Sequence, residues 1–342
     1  MFGRKRSSPI IKVQPIGMHW DTEDPFVFVS HHRDDYPQGN AQQAPPLAEI
    51  GGRSLGRDYK EVFGFRMYHG KVVPGFPLHA HWGYETITLS EKGFIDHFDS
   101  LGNQGRYGYG DMQWISAGSL YVHNEMYPLA FSDKRNPNDI TQIMLNLPLK
   151  DKGSEPDVKT IWSENIPVHQ SDGCTVKIIT GRFMEMESLP PNNISWASDK
   201  NNHVRILRIR LDPDAKISLP SIPADINRNL YLTEGNEIMI NKESFESPKR
   251  FKLVSDEVTI VNGKAESILW LLEGRPIKEK MSSFGPIILD TDKNVREALN
   301  VIRKEELSRW SWGLVDRTQP KDTGRFFRDR DGKEELPPSR SK

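Results

Sequence analysis

The apolar residues of this chain recur in short runs that alternate with polar ones, a period close to two rather than the 3.6 of a helix. Between residues 61 and 148 the runs Glu85-Thr-Ile-Thr-Leu89, Gly93-Phe-Ile-Asp-His-Phe98 and Ile140-Thr-Gln-Ile-Met-Leu145 are separated by turn signals, among them Gly102-Asn103 and Gly110-Asp111. A second series follows from about 168 to 275. It holds His203-Val-Arg-Ile-Leu-Arg-Ile-Arg-Leu211, Asn229-Leu-Tyr-Leu232, Glu237-Ile-Met-Ile240, Glu257-Val-Thr-Ile-Val261 and Ser267-Ile-Leu-Trp-Leu-Leu272. Short strands at regular spacing predict sandwiches or barrels. The common strand rhythm of the two series predicts two versions of one architecture, although their sequences match weakly.

Other stretches set the expected boundaries. An N-terminal domain spans 1–148 and includes the strand-like Asp24-Pro-Phe-Val-Phe-Val29. Residues 30–60 are rich in Gly, Pro, Gln and charge, and predict a partly ordered loop insertion in which His31 and His32 are solvated. The polar, Pro-bearing stretch 149–167 predicts a linker, and 168–290 a second barrel. Beyond it Val295, Ala298, Leu299 and Ile302 fall at helical spacing. Thr291 is placed to cap a helix over 292–307, with Asp292 at its start and Arg303 and Lys304 at its end, as the helix dipole prefers. The charged chain after 317 predicts a flexible tail, with the arginines from Arg325 to Arg330 on exposed faces.

Composition narrows the class. Lys plus Arg number 46 and Asp plus Glu 47, so no basic footprint for direct nucleic-acid binding exists at whole-chain level. No run approaches ~18 apolar residues, so no membrane span is expected. The basic Met1-Phe-Gly-Arg-Lys-Arg6 lacks the apolar run of a secretory signal, and a cytosolic or nuclear setting is expected. The single cysteine, Cys174, cannot form an intramolecular disulfide and reads as a buried small residue.

Chemistry concentrates in two short motifs. His79-Ala-His81 places two imidazoles on one face of a strand, roughly 6.6 Å apart along the backbone. From there both can reach one ion through metal–nitrogen bonds of ~2.1 Å. His123-Asn-Glu125 repeats the geometry with an imidazole and a carboxylate. Glu85 is a competing carboxylate, because it follows His81 at the spacing H-x-H-x3-E. His97 reads as a structural histidine. Trp82 and Trp114 are candidates for the walls of the cavity.

The surroundings of these motifs are distinctive. Gly75-Phe-Pro-Leu-His-Ala-His-Trp-Gly-Tyr-Glu-Thr-Ile-Thr88, Asp99-Ser-Leu-Gly-Asn-Gln-Gly105, Gly110-Asp-Met-Gln-Trp-Ile-Ser-Ala-Gly118 and His123-Asn-Glu-Met126 together resemble the pirin family of bicupins. The resemblance extends through Asp24-Pro-Phe26, Leu145-Asn-Leu-Pro-Leu-Lys-Asp-Lys152 and Phe284-Gly-Pro-Ile-Ile-Leu-Asp-Thr291, and covers about residues 10–305. It implies an all-β fold of two cupin-type double-stranded β-helix barrels. One metal would sit in the first barrel on His79, His81, His123 and Glu125, with none in the second. The chain departs from the family at Trp82, where Arg is usual after the second ligand, in the longer stretch before Gly75, and in the tail after about 308.

Three imidazoles and one carboxylate suit Fe(II), and also Mn, Ni, Co, Cu or Zn, because such ligands discriminate poorly among divalent metals. The resemblance implies a quercetin 2,3-dioxygenase-type ring-cleaving oxygenase acting on a small aromatic substrate, and Glu125, as a weakly held carboxylate, can serve as proton acceptor from the substrate hydroxyl. The alternative implication of the resemblance is a redox-sensitive, metal-dependent co-regulator that binds a transcription factor or another protein. A metal that only staples the barrel is the third reading.

Overall fold

The structure, a computed structural model, describes residues 8–339. The basic Met1–Arg6 stretch lies outside the described residues. In place of one unit per contiguous stretch of chain, two compact units draw on both ends of it. One contains the described residues through Val29 together with Ile166–Lys278; the other contains Ser30–Asn165 together with the chain from Glu279 onward. The first crossing falls inside one strand, Phe26–Tyr36.

The unit built on Ile166–Lys278 has a seven-stranded sheet. Its order is Ile10–Pro15, Lys249–Leu253, Asn227–Glu234, Ser267–Gly274, Arg205–Leu211, Cys174–Thr180 and Val168–Ser171. Inward positions line up in rows across it. Ile178, Leu207, Leu271, Leu230 and Phe251 form one row; Val176, Ile209, Leu269 and Leu232 form the next. The second sheet runs Lys216–Leu219, Val258–Asn262, Glu237–Ile240 and Glu243–Glu246. Ile217, Ile238, Ile240 and Ile260 from it close the same core, which Cys174 joins. The interior of this unit is thus filled mainly with aliphatic side chains, and truncating a buried Leu or Ile to Ala there costs about 2–5 kcal/mol.

The other unit is built differently inside. One of its sheets runs Asp157–Ile161, Asp111–Ala117, Tyr84–Lys92, Asn136–Asn146 and then the strand that begins at Phe26. The second runs Glu334–Glu335, Phe326–Arg328, Gln104–Gly108, Phe94–Asp99, Tyr121–Met126 and Gly75–His81. One row across the first sheet is polar: Thr160 lies opposite Gln113, Gln113 opposite Thr88, and Thr88 opposite Gln142. Thr88 and Gln142 touch Glu125 of the second sheet, so the two sheets face each other across a polar interior.

The 149–167 stretch is not a free linker, because Asp157–Ile161 pairs along Met112–Ser116 and completes a sheet edge. Residues 30–60 are ordered: they hold most of the Phe26–Tyr36 strand, a short helix at Leu47–Ile50 and the strand Asp58–Val62. His31 and His32 are not solvated. His31 pairs with Asp139 at 3.0 Å, and buried His32 bonds Ser30 Oγ and Tyr68 Oη, each at 2.7 Å. Nor is the chain after 317 a loose tail. The helix Asp292–Glu305 forms as expected, capped by Thr291 and burying Val295, Ala298 and Ile302. After it the chain runs on as a strap across the sheet that carries the histidines.

Backbone and buried charge hold that strap. Leu78 N–H donates to Val315 O, and Trp312 Nε1 donates to Asp99 O at 2.7 Å. Arg106 is fully buried and pairs with Asp96 through two bonds of 2.6 and 2.8 Å. Its other N–H groups reach the carbonyls of Gln319, Pro320, Lys321 and Thr323. Arg325, expected on an exposed face, instead bonds Asp111 and Glu164 at 2.7 Å each. Phe326–Arg328 then pairs with Gln104–Arg106. Replacing Arg106 by Leu strands the Asp96 carboxylate in the interior and frees four carbonyls. We expect a loss of about 3–5 kcal/mol in urea unfolding, together with new protease cleavage between residues 312 and 325.

Candidate metal centre

The centre begins with a strand pairing. Gly75–His81 runs antiparallel to Tyr121–Met126, with His81 opposite Tyr121 and His79 opposite His123. The register then slips, and Phe76 rather than Pro77 lies opposite Glu125. This bulge puts one extra residue on the histidine strand and turns Phe76 onto the same face as His79. Alternation does the rest: His79 and His81 face inward, while Ala80 and Trp82 face the helix Asp292–Glu305.

The nitrogens of His79, His81 and His123 lie within 4.8 Å of one another. The Nε2 atoms of His81 and His123 are 2.8 Å apart. Glu125 Oε2 lies 4.0 Å from His79 Nε2 and 3.8 Å from His123 Nε2. Two nitrogens bound to one ion at right angles stand about 3 Å apart, so the cluster is on the scale of a coordination shell. His81, His123 and Glu125 are buried, whereas the His79 side chain is 25% exposed. The centre therefore opens toward solvent on the His79 side.

Burial sets the protonation states. It drives the His79 imidazole down to about 4, with a small opposing pull from the Pro77 carbonyl. It pushes His81 and His123 further below the ordinary histidine range, and proximity to His79 adds to the effect. All three are neutral at pH 7 and offer lone pairs. His79 Nδ1–H donates to Pro77 O at 2.9 Å, and the His81 Nδ1 edge meets the Tyr84 hydroxyl, so both rings turn Nε2 to the centre. Burial raises Glu125, and the amide of Gln142 works against that rise. Gln142 Nε2 donates to both Glu125 oxygens at 3.3 and 3.0 Å and holds the carboxylate plane. A buried carboxylate among neutral donors requires positive countercharge. Three neutral nitrogens beside it complete a donor set that fits a divalent metal.

The competing positions lie elsewhere. Glu85 sits on the opposite face of its strand from Thr88, and its carboxylate accepts from Trp114 Nε1 at 2.7 Å and Ser116 Oγ at 2.6 Å. The two candidate wall tryptophans are turned away from the cavity: Trp114 toward Glu85, and Trp82 into the cluster with Ala80, Ile287, Val295 and Ala298. His97 lies outside the three-histidine cluster and bonds Asp99 Oδ2 at 3.1 Å beside the Tyr121 hydroxyl. Gln142, Thr88 and Tyr84 complete the site without belonging to either motif. Thr88 carries a sequence signal, a polar inward position between Ile87 and Leu89, whereas Gln142, between Thr141 and Ile143, and Tyr84, between Gly83 and Glu85, carry none.

The turn after His81 is tightly specified. Gly83 has φ +85°, and a Cβ there would meet Ile288 O at 2.0 Å. Lys152 Nζ donates to Gly83 O and to Asn146 Oδ1, each at 2.6 Å, and burial lowers the lysine to about 8. Between pH 8 and 10.5 the unfolded chain keeps a proton that the folded chain has released, so unfolding free energy rises with pH. Measured by urea unfolding, wild type should gain on the order of 1–3 kcal/mol relative to Lys152→Met between pH 8 and 10. A difference that stays constant over that range would contradict the burial.

Comparisons with known proteins agree with this architecture. The pirin profile matches residues 12–144, and that of the pirin C-terminal cupin domain matches residues 206–307. A Thermoplasma acidophilum protein named "Putative quercetin 2,3-dioxygenase" is 31% identical, covering 67% of this chain and 91% of its own. Human "Pirin" is 28% identical, covering 72% of this chain and 84% of its own. The crystal structure of quercetin 2,3-dioxygenase from Acinetobacter baumannii superposes with a TM-score of 0.69 at 18% identity, over 90% of this chain and 99% of that one, which shows the shared fold. With its paired barrels and a three-histidine centre in one of them, the chain belongs to the pirin family.

Proposed function

We propose that this protein is a non-haem, metal-dependent ring-cleaving oxygenase of the quercetin 2,3-dioxygenase type. We further propose that its metal, Fe(II) in the first instance, is held by His79, His81, His123 and Glu125. The observation that carries the reading is the set of three neutral imidazoles beside one buried carboxylate, open to solvent on the His79 side.

A divalent metal bound there would act as Lewis acid and as a template for substrate and dioxygen. The chain's own residues do the remainder. Glu125 Oε2 stands on the histidine side of its carboxylate and takes the proton of a substrate hydroxyl. Gln142 keeps both carboxylate oxygens in plane through that transfer. Pro77 O holds His79 in the tautomer that presents Nε2, and Tyr84 fixes the orientation of the His81 ring. The closed side of the centre, formed by buried His123, Tyr121 and Tyr107, limits competing water.

Two measurements test this. Elemental analysis should show at least about tenfold less bound metal in His79→Ala and His123→Ala, and undiminished metal in Glu85→Gln. Full occupancy in both histidine variants would overturn the ligand set. Protein loaded in turn with Fe, Mn, Co, Ni and Cu and incubated in air with quercetin should bleach the flavonol and release carbon monoxide. No consumption with any of these metals would overturn the oxygenase reading.

A further inference from the structure

On the open side of the centre the metal-facing side chains continue into a row of rings. The His79 ring lies 6.0 Å from that of Phe76, which the bulge has turned onto the same face. Phe76 lies 4.5 Å from His69 at an interplanar angle of 35°. His69 lies 6.0 Å from Tyr59, edge to face, and Tyr59 stacks at 17° over Tyr68. Tyr68 is the buried base of this row, pinned by its hydroxyl to His32 Nδ1 at 2.7 Å. Tyr59 and His69 remain exposed, Tyr59 by 57%, and Phe76 and His79 are partly so. Partial burial also lowers His69, so its ring is uncharged at neutral pH.

Three of these rings, Tyr59, Tyr68 and His69, come from the longer stretch before Gly75. Tyr59 is on the strand Asp58–Val62 and His69 follows its partner Phe65–Met67. Arg53 ties the base of this hairpin, bonding Asp58 at 2.5 Å and Phe65 O at 2.8 Å. A packing cluster alone would bury its rings. Here the inner ring is buried and anchored, while the outer rings stay in solvent beside the one exposed imidazole of the centre.

We propose that Tyr59, His69 and Phe76 form an aromatic face that receives the flat ring system of a polyphenolic substrate, so that the 58–69 hairpin selects the substrate. This rests on the reading of the centre as an oxygenase of such compounds. A flat ring that stacks on the outer face of His69, whose other face Phe76 backs at 4.5 Å, lies one ring away from His79, with its hydroxyl edge toward the histidine cluster. Offset or edge-to-face ring contacts of this kind contribute enough that losing one weakens binding by about two- to tenfold.

The test is a titration of metal-loaded, full-length protein with quercetin in anaerobic solution, followed by quenching of intrinsic fluorescence, with metal content and Tm measured on each sample. We expect H69A to raise Kd about fivefold and Y59A about threefold, with metal content unchanged. H69F, which restores a flat ring, should bind within about twofold of wild type. An unchanged Kd in H69A overturns the proposal. So does an H69F variant as weak as H69A, or wild-type protein that does not bind quercetin by about 1 mM. Admitting air to the same samples separates the two ideas: binding that depends on His69 without turnover removes the oxygenase reading and leaves the aromatic face standing.

Discussion

The centre depends on a single strand pairing. His79 stands opposite His123, and one residue later the register slips so that Phe76 meets Glu125. A slip of one residue exchanges the two faces of a strand. Moved by one more place, the pairing would send His79 and His81 toward the helix and Ala80 and Trp82 inward. Much of the surrounding structure holds that register. Gly83 admits the close approach of Ile288 O, and Lys152 ties down the carbonyl of the same turn. Asn124, between two site residues, donates to the carbonyls of Val315 and Arg317 in the strap.

The two units show how one architecture serves two ends. Rows of aliphatic side chains fill the interior of one unit, and hydrophobic burial stabilises it directly. In the other, the row at Gln113, Thr88 and Gln142 is polar, and the facing strands carry imidazoles and a carboxylate. Burying such groups costs free energy unless each is hydrogen-bonded or bound to a cation. The hydrophobic cluster under the helix offsets that cost beside the centre, and the strap supplies hydrogen-bond partners for the buried Arg106.

A reader of the sequence sees a good deal of this. Strand alternation is a local property, and it predicts the all-β class and most strands, because inward and outward residues differ in polarity wherever one face is buried. The helix was legible for the same reason, through Val295, Ala298 and Ile302 on one face and Thr291 at its start. His79, His81 and His123 stood out because two residues apart on a strand means one face. Glu85 could be set against Glu125 but not placed, since its face depends on the register with Ser116 and on the indole of Trp114.

What the sequence by itself determined was periodic and local: the strands, the capped helix, and the spacing that lets histidines share a face. Only the tertiary structure decided what depends on partners far apart in the chain. It joined Ile10–Pro15 to Lys249–Leu253, brought Phe326–Arg328 onto Gln104–Arg106, and set Gln142 against Glu125. It also showed that charged, Pro-bearing segments such as 30–60 and 312–328 are ordered. Their polar groups find partners in Asp139, Asp111, Glu164 and buried Arg106 rather than in water. Composition predicts exposure for such residues, and tertiary hydrogen bonding overrides it, because a buried polar group is stable once every bond it needs is made.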